Sequence, residues 1–555
     1  MRDGTAGGHQ VDWGPDPYGD DSGPHTSESD RVPIPGPRPG GHRGGPKRRE
    51  RTRRQKALKW TAIVAAVGVL GSAGAAYGYY EYLAGKIRKG QRSSGSSDVA
   101  KPKANSAGQT AMNILILGSD TRADPADAKL GGAADAAGAR ADVIMIAHLS
   151  ADRANMSVVS IPRDTRVDIP ACTDPKTDKT YQATNDIINA SLGRGGPGCT
   201  LATVQNLTDL YIDHWLMIDF SGVVKMADVV GGVEVCVDQP VRDHPTPSAP
   251  GSSHLLLKKA GPQKVYGTMA LAWLRARHPF ESDAGRAKAQ HMYMSSLIRS
   301  LRGQNYFTNP GKLNKVATAA MSAFEVSEEI GTPKKLYDLG MQLKTIPPDR
   351  ITMLTMPRVA DPLNSAHYLP MPGEADGVWT SVRNDVALDA NGRPRAGASA
   401  TPQPTVKPGP PAAAAATIPV TVVNGTAGTA AGEPTPHRAG DITEALRTAG
   451  FAKAGFDRAP APSLGTTMVY PRSAGAQGSS DALSVAKALR IPAGNVKPSA
   501  DAQGITLTIG SDWKSGTDFS ATLPKSGTVP TSAEAVNGAD KGCMPVYRPY
   551  VYHGG

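Results

Sequence analysis

Three short apolar runs in the first half of the chain have the pattern of buried β-strands. They cover residues 113–118, residues 142–146 and a segment around 160–161 that leads into a charged turn. The charged residues at their ends are Asp120, Arg122, Arg140, Asp142, Arg163, Asp164 and Arg166. If the strands are neighbours, these carboxylates and guanidinium groups converge on one rim. A rim of that chemistry suits a divalent cation and a multiply charged phosphate.

Strands and helices alternate through the predicted first domain, residues 110–392. We expect a helix over 201–210, strands over 215–220, 233–237 and 351–356, and a further helix before Arg275. One apolar helical face is formed by Met294, Leu297, Ile298 and Leu301, which recur at helical spacing. This alternation predicts an α/β/α sandwich around a mixed central sheet.

A second, smaller domain is predicted over residues 417–515. Its order of strand, helix, strand, helix and strand indicates a βαβαβ unit, for which we expect a binding or spacing role. The Pro- and Ala-rich segment 393–416 is expected to link the two domains. Residues 516–555 are rich in Ser, Thr, Gly and Pro, which predicts a disordered tail.

The N-terminal region combines a polar tail, a basic run and an apolar stretch. Residues 1–57 are predicted to be disordered, and the apolar stretch 60–80 contains 21 residues without a charge. That length crosses a hydrocarbon core of about 30 Å, so we predict a transmembrane helix over 58–80 and an extracytoplasmic tether over 81–109. A cleaved signal peptide, the alternative, would have a shorter apolar region nearer the N-terminus. Because the denser basic cluster precedes the span, the N-terminus is expected in the cytoplasm and both domains outside.

Length and charge narrow the classes of function. A chain of 555 residues is too long for one hydrophobic core, which agrees with several domains. The net charge of +11 could indicate a nucleic-acid-binding protein, but residues 1–59 hold 12 basic residues against 8 acidic ones, and the remaining excess is spread thinly. No basic helix or RNA-binding aromatic motif appears. Nucleic acid is therefore not an expected partner.

The four cysteines, Cys172, Cys199, Cys236 and Cys543, form neither a CxxC pair nor a zinc-binding pattern. Outside the cytoplasm, Cys172 and Cys199 are candidates for a disulfide that closes the intervening loop. The alternative is a set of buried thiols, which we favour for Cys236 inside the strand 233–237.

The charged rim has the ligand types of a hard-cation and phosphate site. Asp120 and Asp142 have no His or Cys nearby, which suits Mg²⁺ or Mn²⁺. Further arginines, Arg275, Arg277 and Arg286, follow downstream, and arginine grips phosphate through two parallel hydrogen bonds. Taken alone, an Asp and an Arg at one strand end are more often a solvated salt bridge. The ordered set of motifs, however, favours a cation and phosphate site over isolated salt bridges.

Taken together, these motifs closely resemble the LytR-CpsA-Psr family of bacterial cell-wall glycopolymer transferases. The matching segments are 117–122, 140–143, 160–165, 213–222, 231–235, 270–278 and 285–290. The C-terminal unit, which opens with the strand 420–425, is similar to the LytR C-terminal domain often appended to members of that family.

Members of that family transfer a polyprenyl-diphosphate-linked glycopolymer to peptidoglycan and release polyprenyl phosphate. The resemblance therefore implies a membrane-bound phosphotransferase that depends on Mg²⁺ or Mn²⁺, with pyrophosphatase as a candidate side activity. By motif, Asp120 and Asp142 would be metal ligands and would share the catalytic role with Arg163. The diphosphate would be held by Arg122, Arg140, Arg163, Arg275, Arg277, Arg286 and Gln290. The implied partners are the lipid-linked glycan, peptidoglycan and the membrane.

Several positions depart from the family pattern. Ala141 and Val143 stand for a Ser and a Thr, Ile187 for a Lys, Ala289 for an Arg and His291 for a Gln. These changes remove hydroxyl groups and cations. They keep the carboxylates of Asp120 and Asp142 and the arginine pair Arg275 and Arg277. The alternative interpretation is therefore a catalytically weak wall scaffold that binds polyprenyl phosphate, or a membrane-bound regulator. The regulator is disfavoured because no DNA-binding motif precedes the apolar stretch.

Overall fold

The computed structural model describes residues 53–102, 108–120, 140–247, 250–303, 309–389, 410–427, 433–458, 467–472, 475–499, 502, 504–522 and 525–554. The chain divides into two units, Met1–Ser72 and Ala73–Gly555. Three predicted features lie outside the described residues: the N-terminal tail up to residue 52, Arg122, and most of the linker, residues 393–409.

Helices account for much of the described chain. The α-helices are α1 (Arg53–Ala84), α2 (Leu192–Thr208), α3 (Phe220–Val229), α4 (Gly267–Arg275), α5 (Asp283–Gly303), α6 (Pro310–Ala323), α7 (Pro333–Thr345), α8 (Glu374–Arg383), α9 (Arg438–Thr448) and α10 (Ala476–Ala488). An 18-residue window within the segment Lys56–Ala84 of α1 has a mean hydropathy of 1.5, and none of that window is buried. Within the described residues α1 is the one helix long and apolar enough to cross a membrane, as predicted for 58–80.

The strands follow the predicted apolar runs, with several short additions. They are β1 (Arg88–Gly90), β2 (Met112–Ser119), β3 (Ala141–Leu149), β4 (Met156–Ser160), β5 (Arg166–Ile169), β6 (Cys172–Thr173), β7 (Thr180–Tyr181), β8 (Thr184–Ile187), β9 (His214–Ile218), β10 (Val233–Val237), β11 (Val241–Arg242), β12 (Leu256–Leu257), β13 (Gly261–Val265), β14 (Phe324–Ser327), β15 (Ile351–Thr355), β16 (Arg358–Asp361), β17 (Asn364–Pro370), β18 (Val420–Asn424), β19 (Ala454–Phe456), β20 (Met468–Pro471), β21 (Ile505–Ile509) and β22 (Val536–Asn537).

A mixed eight-stranded sheet, in the order β1-β14-β9-β2-β3-β4-β15-β22, forms the centre of the larger unit. Strand β2 is antiparallel to β3 and parallel to β9. Leu115 and Leu117 point into a core shared with α2 and α8, whereas Ile114 and Met145 point into another shared with α5, α6 and α7. Successive strand residues face opposite sides of the sheet, so the two cores lie on opposite faces and helices cover both of them. The predicted α/β/α sandwich with a mixed sheet is confirmed.

The predicted tether over 81–109 is wrong for its first part. Strand β1 pairs in parallel with β14 at the edge of the central sheet. Just before it, Leu83 and Ile87 are buried in the core on the side of α6 and α7. A three-residue strand is too short to show an apolar period, so the sequence pattern did not reveal it.

The predicted disordered tail over 516–555 is also wrong. Strand β22 pairs with β15 in the central sheet, and Met544, Val546 and Tyr550 are buried in the core formed by α3, α4, α5 and β10–β13. The few apolar residues of this polar segment show no periodic spacing, so the sequence pattern did not predict an ordered segment. In the structure they pack against a core formed by distant parts of the chain.

Both pairs of cysteines form disulfides. The predicted bond between Cys172 and Cys199 is confirmed, with the two Cα atoms 5.7 Å apart. The expectation that Cys236 is a buried thiol is wrong, because it is bonded to Cys543 across 307 residues of sequence. That bond ties the C-terminal tail to β10.

The small C-terminal domain has a four-stranded sheet in the order β19-β18-β21-β20, rather than the three strands of the predicted βαβαβ unit. The added strand, β19, is parallel to β18 and only three residues long. This domain contacts the first one: the Ser511 hydroxyl donates to Asp376 at 2.6 Å, and Lys497 lies 3.1 Å from Asp209.

Candidate active site and its two cavities

Strand ends bring the predicted charged residues to one edge of the central sheet. Because β3 runs antiparallel to both β2 and β4, its first residues lie beside the last residues of those strands. Ser119 is paired with Ala141, and Ser160 with Met145. Asp120, Asp142 and Arg163 are therefore neighbours at this edge, although they come from three separate motifs.

Asp142 and Arg163 form the central ion pair of the site. The Arg163 Nη1 lies 2.5 Å from Asp142 Oδ1, and its Nε lies 3.3 Å from Asp164 Oδ2. Burial lowers the pKa of the Arg163 guanidinium, but the two carboxylates outweigh burial and raise the pKa above its ordinary value. Arg163 is therefore a fixed cation at this edge of the sheet.

Arg286 adds a second cation from the first turn of α5. Its Nη2 lies 3.2 Å from Asp283 Oδ1. Burial, together with repulsion from Arg163, lowers the pKa of the Arg286 guanidinium. Gly285 is required beside it, because an added Cβ would collide with the carbonyl oxygen of Phe280. Two partly buried guanidinium groups that repel each other are stabilised by an anion placed between them.

Arg275 and Gln290 complete this side of the site. Arg275 ends α4, and its guanidinium carbon lies 5.1 Å from the centre of the Phe220 ring. Gln290 is buried and donates from Nε2 to the carbonyl of Leu274 at 3.1 Å, which holds α5 against α4. Gln290 therefore orients the helix that carries Arg286.

An apolar cavity of about 400 Å³ begins at this edge and continues between the sheet and helices α3, α4 and α5. Its walls are Ile116, Gly118, Val143, Met145, Leu216, Ile218, Phe220, Val223, Met226, Leu271, Leu274, Tyr293, Met294, Leu297 and Phe324. At one part of its surface the lining changes to Ser119, Asp142, Arg163, Asp219, Arg275, Arg286 and Gln290. The cavity is thus suited to a long apolar group that ends in an anion.

A polar cavity of about 180 Å³ shares three arginines with the apolar cavity. It is lined by Arg163, Arg275, Arg277, Arg286, Asp243, Gly251, Ser252, Ser253 and His278. The motifs identified the arginines, but Asp243, Ser252 and Ser253 carry no motif and were missed. They lie in a long connection whose position depends on how β11 and β12 pack.

Most of the predicted site residues are brought together. Asp142, Arg163, Arg275, Arg286 and Gln290 line the apolar cavity, and Arg277 lines the polar one. Asp120 and Arg140 lie beside them, where the Arg140 N–H donates to Asp120 Oδ1 at 2.9 Å. The side chain of Arg140 is exposed, and neither residue lines a described cavity. The assignment of Arg140 to the diphosphate stays a prediction.

The assignment of Asp120 and Asp142 to a metal ion stays a prediction, and such a cation would take most of its ligands from elsewhere. Within the described residues, no group of three or more His, Cys, Asp or Glu side chains could hold a metal ion. Mg²⁺ commonly takes one or two protein carboxylates, with waters and substrate phosphates filling its octahedron. Asp120 and Asp142 supply that number of carboxylates beside the arginine cluster.

The departures from the family pattern leave the cavity walls intact. Ala141, Ile187 and Ala289 line neither cavity, and Ala289 is buried with its carbonyl accepting from Trp273 Nε1 at 2.9 Å. Val143 lines the apolar cavity, where a methyl group suits the surroundings. His291 is buried, with Nε2 2.7 Å from Ser160 Oγ.

A family model agrees with the motifs and the fold. Residues 79–383 match the model of the LytR_cpsA_psr family. The chain belongs to the LytR-CpsA-Psr family. Residues 417–513 match a second model, described as the LytR cell envelope-related transcriptional attenuator.

Several known proteins resemble this family member. The cell wall biosynthesis protein LcpA of Corynebacterium glutamicum is 29% identical over 277 residues, which are 45% of this chain and 51% of that protein. The polyisoprenyl-teichoic acid–peptidoglycan teichoic acid transferase TagU of Bacillus cereus is 24% identical over 344 residues, 60% of this chain and 94% of TagU. The LytR-Csp2A-Psr enzyme from Actinomyces oris has 20% identity and a TM-score of 0.39, covering 54% of this chain and 96% of that structure. The chain thus spans about half the length of LcpA.

Proposed function

We propose that this protein transfers a polyprenyl-diphosphate-linked glycopolymer to peptidoglycan through a phosphodiester bond and releases polyprenyl phosphate. One observation carries the proposal: the apolar cavity of about 400 Å³ changes its lining to Asp142, Arg163, Arg275 and Arg286. A polyprenyl chain needs apolar walls, and its diphosphate needs guanidinium groups where those walls end. The name of TagU, a transferase that acts on polyisoprenyl-linked teichoic acid, supports the same class of substrate.

The arrangement supplies what a phosphoryl transfer requires. Charge accumulates on the non-bridging oxygens and on the leaving phosphate, and preorganised cations stabilise it without reorganisation during the reaction. Arg163 is fixed by Asp142, and Arg286 by Asp283, so the guanidinium groups are oriented before substrate binds. Arg275 and Arg277 extend the cationic surface into the polar cavity. Mg²⁺ held by Asp120 and Asp142, when bound, would neutralise further charge on the diphosphate.

We also propose that α1 anchors the protein with its N-terminus in the cytoplasm and both folded domains outside. The uncharged stretch 60–80 of α1 is preceded by a basic cluster, nine Lys and Arg against one acid over residues 43–59. The two disulfides fit an oxidising compartment outside the cytoplasm. Lipid-linked glycans and peptidoglycan would then be on the same side of the membrane as the site.

The proposal is tested with the full-length protein in detergent micelles. A truncated chain that begins near residue 100 would lack β1 and the buried Leu83 and Ile87, so truncation is avoided. The protein is incubated with a polyprenyl-diphosphate glycan, peptidoglycan and Mg²⁺, and both the phosphodiester-linked product and polyprenyl phosphate are measured. We expect Asp142→Ala and Arg163→Ala each to lower the rate by about a hundredfold or more, the usual loss when one preorganised charge is removed.

Matched controls separate chemistry from folding. Asp168→Ala changes an exposed carboxylate on β5, and Arg490→Ala removes an arginine whose side chain is 70% exposed in the C-terminal domain. Both should transfer at the parent's rate. Failure of the folded parent to transfer, or parental rates in both site variants, contradicts the proposal. If the protein binds the polyprenyl-diphosphate glycan but transfers none, the result would favour the alternative of a catalytically weak wall scaffold. Chelation of divalent cations should abolish transfer, and adding Mg²⁺ back should restore it.

A further inference from the structure

The polar cavity is lined by two residues that have no role in the proposed reaction, Asp243 and His278. Asp243 and His278 line it together with Arg163, Arg275, Arg277 and Arg286. The carboxylate of Asp243 is buried: its Oδ2 accepts from the Ser253 N–H at 2.7 Å and from the Ser253 hydroxyl at 2.6 Å. Its other oxygen, Oδ1, has no hydrogen-bond partner among the described residues.

His278 lies beside this unsatisfied oxygen. Its Nδ1 is 3.7 Å from Asp243 Oδ1, and Nδ1 is itself buried without a hydrogen-bond partner in the described part of the chain. A small rotation of either side chain would close a hydrogen bond, and such bonds are often long until substrate is bound. With its proton on Nδ1 facing the carboxylate, the imidazole would keep Nε2 as its proton acceptor.

The C-terminal tail holds His278 in place. The Tyr550 ring is buried and stacks on the imidazole, with ring centres 6.0 Å apart and planes 19° apart. The Tyr547 N–H donates to the carbonyl of Pro279 at 2.8 Å. The disulfide between Cys236 and Cys543 fixes the same tail to β10. An imidazole oriented from one side by a carboxylate and from another by a ring is restricted in its rotation.

Other candidates for accepting a proton are already engaged. The Asp142 carboxylate is held by Arg163 at 2.5 Å, and Asp283 lies 3.2 Å from Arg286. Arginine does not give up its proton, and a serine hydroxyl is a weak base. Among the described residues that line the polar cavity, His278 with Asp243 is therefore the pair best suited to take a proton.

We infer that the polar cavity is the subsite of the acceptor hydroxyl and that His278, oriented by Asp243, takes its proton. The inference rests on the proposed function. The acceptor is a hydroxyl-bearing glycan, and its oxygen attacks the phosphorus that bears the glycopolymer. The new P–O bond forms as the bridging P–O bond to the polyprenyl phosphate breaks. The bridging oxygen leaves with the electron pair, and the hydroxyl proton moves to His278 Nε2, while Nδ1 of the same ring faces Asp243.

The test uses the full-length protein, a polyprenyl-diphosphate glycan and peptidoglycan. His278→Ala should lower the transfer rate by about a hundredfold, a common contribution of a general base, and added imidazole should restore much of it. Asp243→Asn should lower the rate as well. Displacement of a fluorescent polyprenyl phosphate should be unchanged, because neither residue lines the apolar cavity. The matched control is His244→Ala, since His244 also contacts the Tyr550 ring, at 5.4 Å, but lies outside the polar cavity.

The outcomes separate this inference from the function on which it rests. If the parent protein transfers no glycan, the proposed function fails and the inference fails with it. If the parent transfers glycan and His278→Ala does so equally well, only the inference is overturned. The same holds if the variant is slow and imidazole does not restore it, because a lost structural contact would not respond to free imidazole.

Discussion

Buried His291 should make the stability of the larger folded domain, residues 110–392, fall as the pH falls. The residue is 1% exposed, its Nε2 is 2.7 Å from Ser160 Oγ, and its Nδ1 has no hydrogen-bond partner among the described residues. Burial lowers the pKa of this imidazole from 6.5 to about 4. The folded protein therefore keeps His291 neutral at a pH where the unfolded chain has already bound a proton.

The size of the effect follows from this difference. A folded-state pKa below the unfolded value means that stability is fully present above about 6.5 and is lost as the pH falls toward about 4. The free energy of unfolding falls by about 1.4 kcal/mol per pH unit across that range. At about pH 5 the loss is about 2 kcal/mol, or roughly 3 °C in Tm for a domain of roughly 300 residues.

The substitution His291→Gln supplies an amide able to hydrogen-bond to Ser160 in place of the imidazole and removes the titrating group. Tm is measured for the full-length protein and the variant near neutral pH and at pH about 5, with the parent expected to lose roughly 3 °C more than the variant between the two conditions. Other titrating groups affect both proteins alike and cancel in this comparison. Equal losses in the two proteins would refute the reasoning, because they would mean that His291 does not become charged on unfolding.

Three further predictions follow from packing, cavity lining and pKa. Gly285→Ala should destabilise the domain by about 1–3 kcal/mol through its collision with the Phe280 carbonyl, as measured by Tm. Gly303→Ala, at the open end of the same helix, should be nearly neutral. Leu297→Arg places a charge in the wall of the apolar cavity and should weaken binding of a fluorescent polyprenyl phosphate about tenfold or more. Burial raises the pKa of Asp512 to about 6, so the C-terminal domain should lose stability as pH rises through about 6, and Asp512→Asn should flatten this dependence in limited proteolysis.

Much of the candidate site could be predicted because its residues are attached to strongly patterned elements. Asp142 is the second residue of a nine-residue strand and Arg286 lies in the first turn of a long helix, so their positions follow once those elements are placed. Arg163 follows a fully buried strand in the same way. What the motifs could not supply is the geometry between elements. The apolar cavity exists because α3, α4 and α5 stand away from the sheet there, and no single segment encodes that gap.

The sequence was sufficient to predict the main strands and helices, the apolar segment before the folded domains and most of the charged residues that meet at one sheet edge. These are local properties, set by apolar period and by the residues next to each strand end. The place of β1, the return of the C-terminal tail and the pairing of Cys236 with Cys543 across 307 residues became visible only in the folded structure. The same is true of the Asp243–His278 pair. Such contacts involve segments whose sequences show no apolar periodicity. They form only after the rest of the core has folded and provides a surface against which these residues pack.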